Sequence, residues 1–320
     1  MTASQHEGGL DASVFGAAAI TPETMEFNRQ LRERPRRLPE FGAGGVGVLQ
    51  QGEVQSERAR TVRVPGRNGH ELDLRVVAPA SPKGVYLHFH GGGFVSGTAA
   101  QSDQLLERIA CATNLVCIDV DYRLAPRNPY PAAWDDAESA AVWLIENSMS
   151  EFGSDALAIG GESAGATLAA ATLVRLRERY GSTGFQAANL IFGNFDLSMT
   201  PSQKLLGSDG VPVSTDIIRA CTDAVAPHPE QRQDPDLSPL FADLRELPKA
   251  LFTVGTLDPF LDDSLFMHAR WIAAGNPAEL AIYPGGVHVF TKFPIALAKQ
   301  ANDRIDDFLG QVGDREEAAA

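Results

Sequence analysis

From residue 61 onward the chain alternates short, strongly apolar runs with longer stretches of helical period. TVRVP (61–65) and LDLRVVAP (72–79) are predicted as strands. GVYLHFH (84–90), LVCIDVDY (115–122), ALAIGG (156–161), ANLIFG (188–193), ALFTVG (250–255) and ELAIYP (279–284) follow with the same character. Helices are predicted between most of the later strands, over Gln101–Thr113, Ala133–Ser148, Ala164–Tyr180 and Asp262–Ala274, with a last one over Ile295–Leu309. Buried strands alternating with helices define an α/β fold with a mostly parallel sheet covered on both faces. The first two strands have no helix between them and predict an antiparallel start.

Two segments break this rhythm. Residues 1–45 carry one helix opening at Thr21-Pro22-Glu23, where threonine caps and proline takes the first helical position. Residues 196–235 carry a helix over Thr215–Val225 between proline-rich loops. Neither continues the sheet, so both are expected to lie above it as a cap, with Phe15, Phe27 and Phe195 walling a pocket. The sheet domain is then split into residues 46–195 and 236–312, and residues 313–320 (GDREEAAA) are expected to be a disordered tail. Gly42-Ala43-Gly44-Gly45-Val46-Gly47 spells a dinucleotide fingerprint, but the preceding RRLPEF is no buried strand, and a hinge is the better reading.

Composition narrows the function classes. At 320 residues, with 44% hydrophobic and 21% charged positions, the chain can bury a large core. Its net charge of −14 repels phosphates at long range and excludes nucleic acid and anionic membrane surfaces as expected partners. No window approaches the ~18 apolar residues of a membrane span. The three cysteines, Cys111, Cys117 and Cys221, match no zinc or redox spacing and are expected to be unpaired thiols in a reducing compartment. Together with an N-terminus that lacks a basic leader, this predicts a cytoplasmic protein.

The chemistry concentrates at loops after strands. Gly161-Glu162-Ser163-Ala164-Gly165 lies between the strand ALAIGG and a helical run, the strand–turn–helix context of a G-x-S-x-G nucleophile elbow. The serine of such a turn needs small neighbours two positions away, and the following N–H opens a helix, where an oxyanion is favoured. Upstream, His90-Gly91-Gly92-Gly93 follows a strand and matches the oxyanion loop of esterases and lipases.

Of seven histidines, His288 is the candidate base, because it follows the strand ELAIYP and the turn Pro284-Gly285-Gly286 at the sheet edge where ligand chemistry collects. The chain order serine, acid, histidine puts the carboxylate between Ser163 and His288. Asp258 ends a strand and is fixed by Pro259. Asp196 is its main rival, and Asp262 and Asp263 read as helix-start residues. Ser163 then attacks a carbonyl, His288 takes its proton and Asp258 holds the imidazole. Glu162 is expected to point away from this chemistry, and Asp121-Tyr122-Arg123 to form a polar network fixing the neighbouring loop.

HGGGFVSG, DYRLAPRNPYPAAWDD, GESAGA, GTLDPFLDD and GGVHVF together resemble the bacterial esterases of the hormone-sensitive lipase family, over nearly the whole chain from about residue 60. The resemblance implies an α/β-hydrolase fold with an eight-stranded sheet, a cap from the N-terminal helices and the insertion after the sixth strand, and no metal or organic cofactor. It assigns Ser163, Asp258 and His288 to a catalytic triad and the N–H groups of Gly92, Gly93 and Ala164 to the oxyanion hole. It implies a small-molecule ester substrate, short-chain acyl esters above all, and a homodimer. Arg127 stands where the family commonly has Glu, and Val289 where it commonly has Gly. Plant gibberellin receptors resemble the same family but lack the histidine that His288 supplies here, which disfavours a pure binding function. An amide or carbamate hydrolase with the same triad is the remaining alternative.

Overall fold

In the computed structural model, which describes residues 10–33, 55–205 and 212–314, eight strands form one sheet. They are β1 (Ala59–Pro65), β2 (Glu71–Val77), β3 (Gly84–Phe89), β4 (Leu115–Val120), β5 (Leu157–Glu162), β6 (Ala187–Ile191), β7 (Lys249–Leu257) and β8 (Ala278–Val287), in the order β1-β2-β4-β3-β5-β6-β7-β8. β1 runs antiparallel to β2 and β2 to β4, and every later pairing is parallel. The helices are α1 (Pro22–Glu33), α2 (Asp103–Thr113), α3 (Ala132–Phe152), α4 (Ala164–Tyr180), α5 (Pro201–Leu205), α6 (Thr215–Val225), α7 (Leu261–Ala273) and α8 (Ala296–Leu309).

The pattern of each strand follows from its place. Every residue of β3, β4, β5 and β6 is buried, because helices cover both faces there, and their sequences are accordingly apolar without alternation. β1 forms the sheet edge and is largely exposed. A fully buried side chain such as Ile159 or Leu190 contributes ~1.5–3 kcal/mol by leaving water.

β8 departs from the expected strand end. Pro284-Gly285-Gly286 does not terminate it; the strand continues to Val287, with a register irregularity opposite Gly255 and Leu257. As the other sheet edge, β8 tolerates a proline without an N–H. Gly285 turns at φ 77°, and its N–H is taken by the Thr256 hydroxyl at 2.8 Å instead of a ladder carbonyl. The glycines thus bend the strand so that it delivers residue 288 at the sheet's carboxyl edge.

The described N-terminal residues pack on this bend. Thr21 Oγ1 accepts from Thr24 N as the expected cap of α1, and Asn28 donates to the Gly285 carbonyl at 2.8 Å. Phe27 packs on Phe293, with ring centroids 4.9 Å apart. Residues 34–45, with the glycine-rich run 42–47, and residues 315–320 of the expected tail lie outside the described residues. No helix among the described residues is long and apolar enough to cross a membrane.

Candidate active site

Ser163 sits between the end of β5 and the first turn of α4, with φ 55° and ψ −119°. This is a sparsely populated conformation for a residue with a side chain, and such strain persists only where the surroundings over-determine it. Here they do. The Ser163 N–H donates to the Ile191 carbonyl at 2.9 Å, and α4 lies so close to β3 that an added Cβ at Gly165 would stand 1.8 Å from the Phe89 carbonyl oxygen. A Cβ at Gly161 would stand 2.4 Å from the Gly165 carbonyl carbon. Both glycines of the motif are therefore steric requirements of the turn. Gly165→Ala is expected to destabilise the protein by at least the ~1–3 kcal/mol typical of overpacking, because the atoms in the way are backbone. Urea unfolding of the variant beside wild type checks this, and an unchanged midpoint would show that helix and strand can separate freely.

The structure brings three of the predicted side chains together. His288 Nε2 is 3.1 Å from Ser163 Oγ, and His288 Nδ1 is 3.0 Å and 3.2 Å from the two oxygens of Asp258. All three residues are buried, and the rings of Phe192 and Phe260 meet the imidazole edge-on at 4.9 Å and 5.0 Å. Asp258 also accepts from its own turn, at Phe260 N, 2.9 Å away. A proton on Nδ1, held by the carboxylate, leaves Nε2 as the acceptor facing the hydroxyl.

Asp196 is elsewhere: its carboxylate accepts from the N–H and hydroxyl of Ser198 and so closes a local turn. Asp262 and Asp263 both open α7, as expected for helix-start residues. Asp263 has a further part, accepting from the N–H groups of Phe195 and Asp196, the Thr200 hydroxyl and the Gln203 amide, which fastens the loop after β6.

Gly92, Gly93 and Ala164 line the same cavity as Ser163 and His288. Gly92 has φ 122° and Gly93 φ 62°, and a Cβ at Gly92 would stand 2.1 Å from the Ser96 carbonyl oxygen. Among the described residues, neither glycine N–H is taken by a protein acceptor. The loop is held from behind. His90 N–H donates to Asp119, the Tyr122 hydroxyl donates to the His90 carbonyl at 2.8 Å, and the two rings stack at 4.3 Å. Asp121 accepts from Ala99 N, and Arg123 pairs with buried Asp136 at 2.7 Å. The expected polar network around Asp121-Tyr122-Arg123 is thus present, while Arg127 is exposed.

The cavity, of about 220 Å³, has a wall that differs from the expected one. Phe15 is exposed, Phe27 lies on Phe293, and Phe195 is fully buried against Phe252, so none of the three lines it. Its apolar wall comes instead from Pro212 and Val213 and from one face of α6, through Ile217, Ile218, Cys221 and Thr222. α6 is capped by the Ser214 hydroxyl and buries Ile218, Cys221 and Val225. The spacing of those apolar positions was the available signal, but periodicity says that a face is buried and not against what. The described N-terminal residues contribute nothing to this wall.

Two further residues line the cavity, Val289, noted above as a departure from the family, and Lys292, which no sequence pattern marked. Val289 has φ 58° and ψ 20°, the left-handed region, which is a strained place for a β-branched side chain and accounts for glycine being common there in the family it resembles. Lys292 reaches back to Glu162, which is 2% exposed. Glu162 makes no hydrogen bond to Ser163 or His288, and its buried carboxylate is held at the cavity by Lys292.

A single eight-stranded sheet with a strained serine after its fifth strand, a histidine after its last and a glycine loop after its third defines an α/β-hydrolase. The family model of the α/β-hydrolase fold matches residues 86–292, and the chain belongs to that family. The hyperthermophilic esterase from the archaeon Pyrobaculum calidifontis is similar at 30% identity, covering 80% of this chain and 87% of that one with a TM-score of 0.76. A thermophilic carboxylesterase cloned from a metagenomic library is 28% identical over 92% of this chain and 98% of its own, with a TM-score of 0.75. An acetyl esterase of Salmonella paratyphi A is 28% identical over 260 residues, 80% of either chain. Within the family the protein is a carboxylic ester hydrolase of the hormone-sensitive lipase type.

Proposed function

We propose that the protein hydrolyses short-chain acyl esters through a covalent acyl-enzyme, with Ser163 as nucleophile, His288 as general base and Asp258 as the orienting acid. The observation that carries this is the unbroken hydrogen-bonded chain from Asp258 through His288 to Ser163, ending at the cavity. Ser163 Oγ attacks the ester carbonyl as His288 Nε2 takes its proton. The carbonyl oxygen becomes an oxyanion held by the N–H groups of Gly92, Gly93 and Ala164, the last at the positive end of α4. Collapse breaks the ester C–O bond, and the proton on His288 goes to the departing alkoxide, leaving acyl-Ser163. Water, deprotonated by His288, repeats the sequence and releases the acid. The N–H groups of Gly92 and Gly93, which line the cavity and are taken by no protein acceptor among the described residues, support the oxyanion role.

A short acyl chain fits the small cavity and its wall of Val213, Ile217 and Ile218. Relatives point the same way: one is named an acetyl esterase, and another 26% identical esterase was soaked with p-nitrophenyl butyrate. Each added methylene is favoured by ~0.8 kcal/mol until the cavity fills, after which overpacking reverses the trend. A panel of p-nitrophenyl esters should therefore show kcat/KM rising over the first few acyl carbons and then falling steeply. Ile218→Ala should move that optimum to a longer chain. An unmoved optimum would take the acyl chain away from α6. The cap is accordingly assigned to the segment 196–235, with the described N-terminal residues 10–33 bracing β8. The free Cys111, Cys117 and Cys221 support a reducing, cytoplasmic setting.

A further inference from the structure

Among the described residues lining the cavity, Lys292 is the one lysine or arginine. It closes the 3-10 turn Phe290–Lys292 that begins just after His288, and its N–H donates to the Val289 carbonyl. Its Nζ lies 2.6 Å from Oε2 of Glu162, the residue immediately before Ser163. Both residues line the cavity; the Glu162 side chain is 3% exposed and that of Lys292 46%, so the carboxylate is built into the fold while the lysine lies at the surface. No hydrogen bond completes Oε2 beyond this ion pair.

We propose that Lys292 is a positioning residue: its ion pair with Glu162 ties the turn carrying His288 to the turn carrying Ser163 and so sets the Oγ to Nε2 separation. Beside the Ser163–His288 hydrogen bond itself, the pair is a second side-chain link between two loops that the sheet does not join, because β5 and β8 are separated by β6 and β7. The histidine turn also contains the left-handed Val289, so it has reason to relax if released. This rests on the triad assignment above.

The groups facing Glu162 are Lys292 from the histidine turn, His88 and Tyr86 from β3, and Asp119 from β4. Burial works to raise the Glu162 carboxyl, and the Lys292 ammonium, aided by His88, overturns this and holds it below the usual range. Without Lys292 the burial is largely unopposed and Asp119 adds to it, so the carboxyl must titrate upward. The linkage follows by sign. With a lowered folded pKa, Glu162 stabilises above its ordinary value. With a raised one, it destabilises progressively as the pH climbs from its ordinary value to the raised one, and fully above that.

The test compares Lys292→Met, Lys292→Arg, Glu162→Gln and the double variant K292M/E162Q with wild type on p-nitrophenyl butyrate, with Ser163→Ala as control. Lys292→Met is expected to lower kcat by about 10- to 100-fold, as small misplacements of catalytic groups do, with KM within about twofold. Lys292→Arg should recover most of the loss. The kcat–pH profile of Lys292→Met should gain an ionisation that the double variant lacks, and its melting-temperature deficit against wild type should widen as the pH is raised from acid to neutral. A raised KM with kcat unchanged would mean that Lys292 contacts substrate instead, and a lowered melting temperature with kcat and profile unchanged would mean that the pair is structural only. Either overturns the proposal. An active Ser163→Ala would overturn the triad itself, whereas Lys292→Met matching an active wild type while Ser163→Ala is dead would overturn only the ion pair's role.

Discussion

Ser163→Ala is expected to reduce kcat for ester hydrolysis by on the order of 10⁶ while leaving the fold intact. What remains is the contribution of the oxyanion donors and of binding, which in such enzymes still exceeds the uncatalysed rate. The fold should survive because the hydroxyl's one described partner is His288 at the cavity, and the strained backbone of the turn is held by the Ile191 carbonyl and the glycine contacts, which alanine keeps. Circular dichroism and the melting temperature should match wild type. An organophosphate should label Ser163 alone, and a labelled peptide containing any other serine would remove the assignment.

The second large effect separates two aspartates. Asp258→Asn should cost up to ~10⁴ in kcat, because an amide facing Nδ1 favours the wrong tautomer and cannot stabilise the imidazolium. Asp196→Asn should cost far less, since its carboxylate serves the Ser198 turn and an amide oxygen can still accept there. Steady-state kinetics on both variants, with melting curves to show that each is folded, give the comparison. Equal losses, or the reverse ranking, would mean that the histidine is oriented from the loop after β6.

Much of this was legible in the sequence, for identifiable reasons. β3 to β6 are buried on both faces, so each appears as an uninterrupted apolar run, and α4 and α6 have the same bounds in sequence and structure. The positions of Ser163 and His288 on turns after strands were readable because a strand–turn–helix serine motif and a post-strand glycine turn impose local residue choices. What was not readable depends on contacts between distant segments. Phe195 and Ile218 are equally apolar, yet one fills the core and the other walls the cavity, and no local pattern distinguishes them. The bend in β8 depends on the Thr256 hydroxyl of the neighbouring strand, and the Glu162–Lys292 pair on where two turns meet.

The route of the chain between β6 and β7 has a consequence for how such a protein diversifies. These strands are parallel neighbours, Ala187 opposite Lys249, so the chain must make a crossover between them whatever the substrate. Val213, Ile217, Ile218, Cys221 and Thr222 all ride on that obligatory detour, outside every strand. Substitutions there alter no rung of the sheet, and Ser163, Asp258 and His288 stand on other turns. If the cavity takes the acyl chain as proposed, substrate range can drift in evolution with little penalty to the proposed triad, and a combinatorial library confined to these five positions samples that freedom directly.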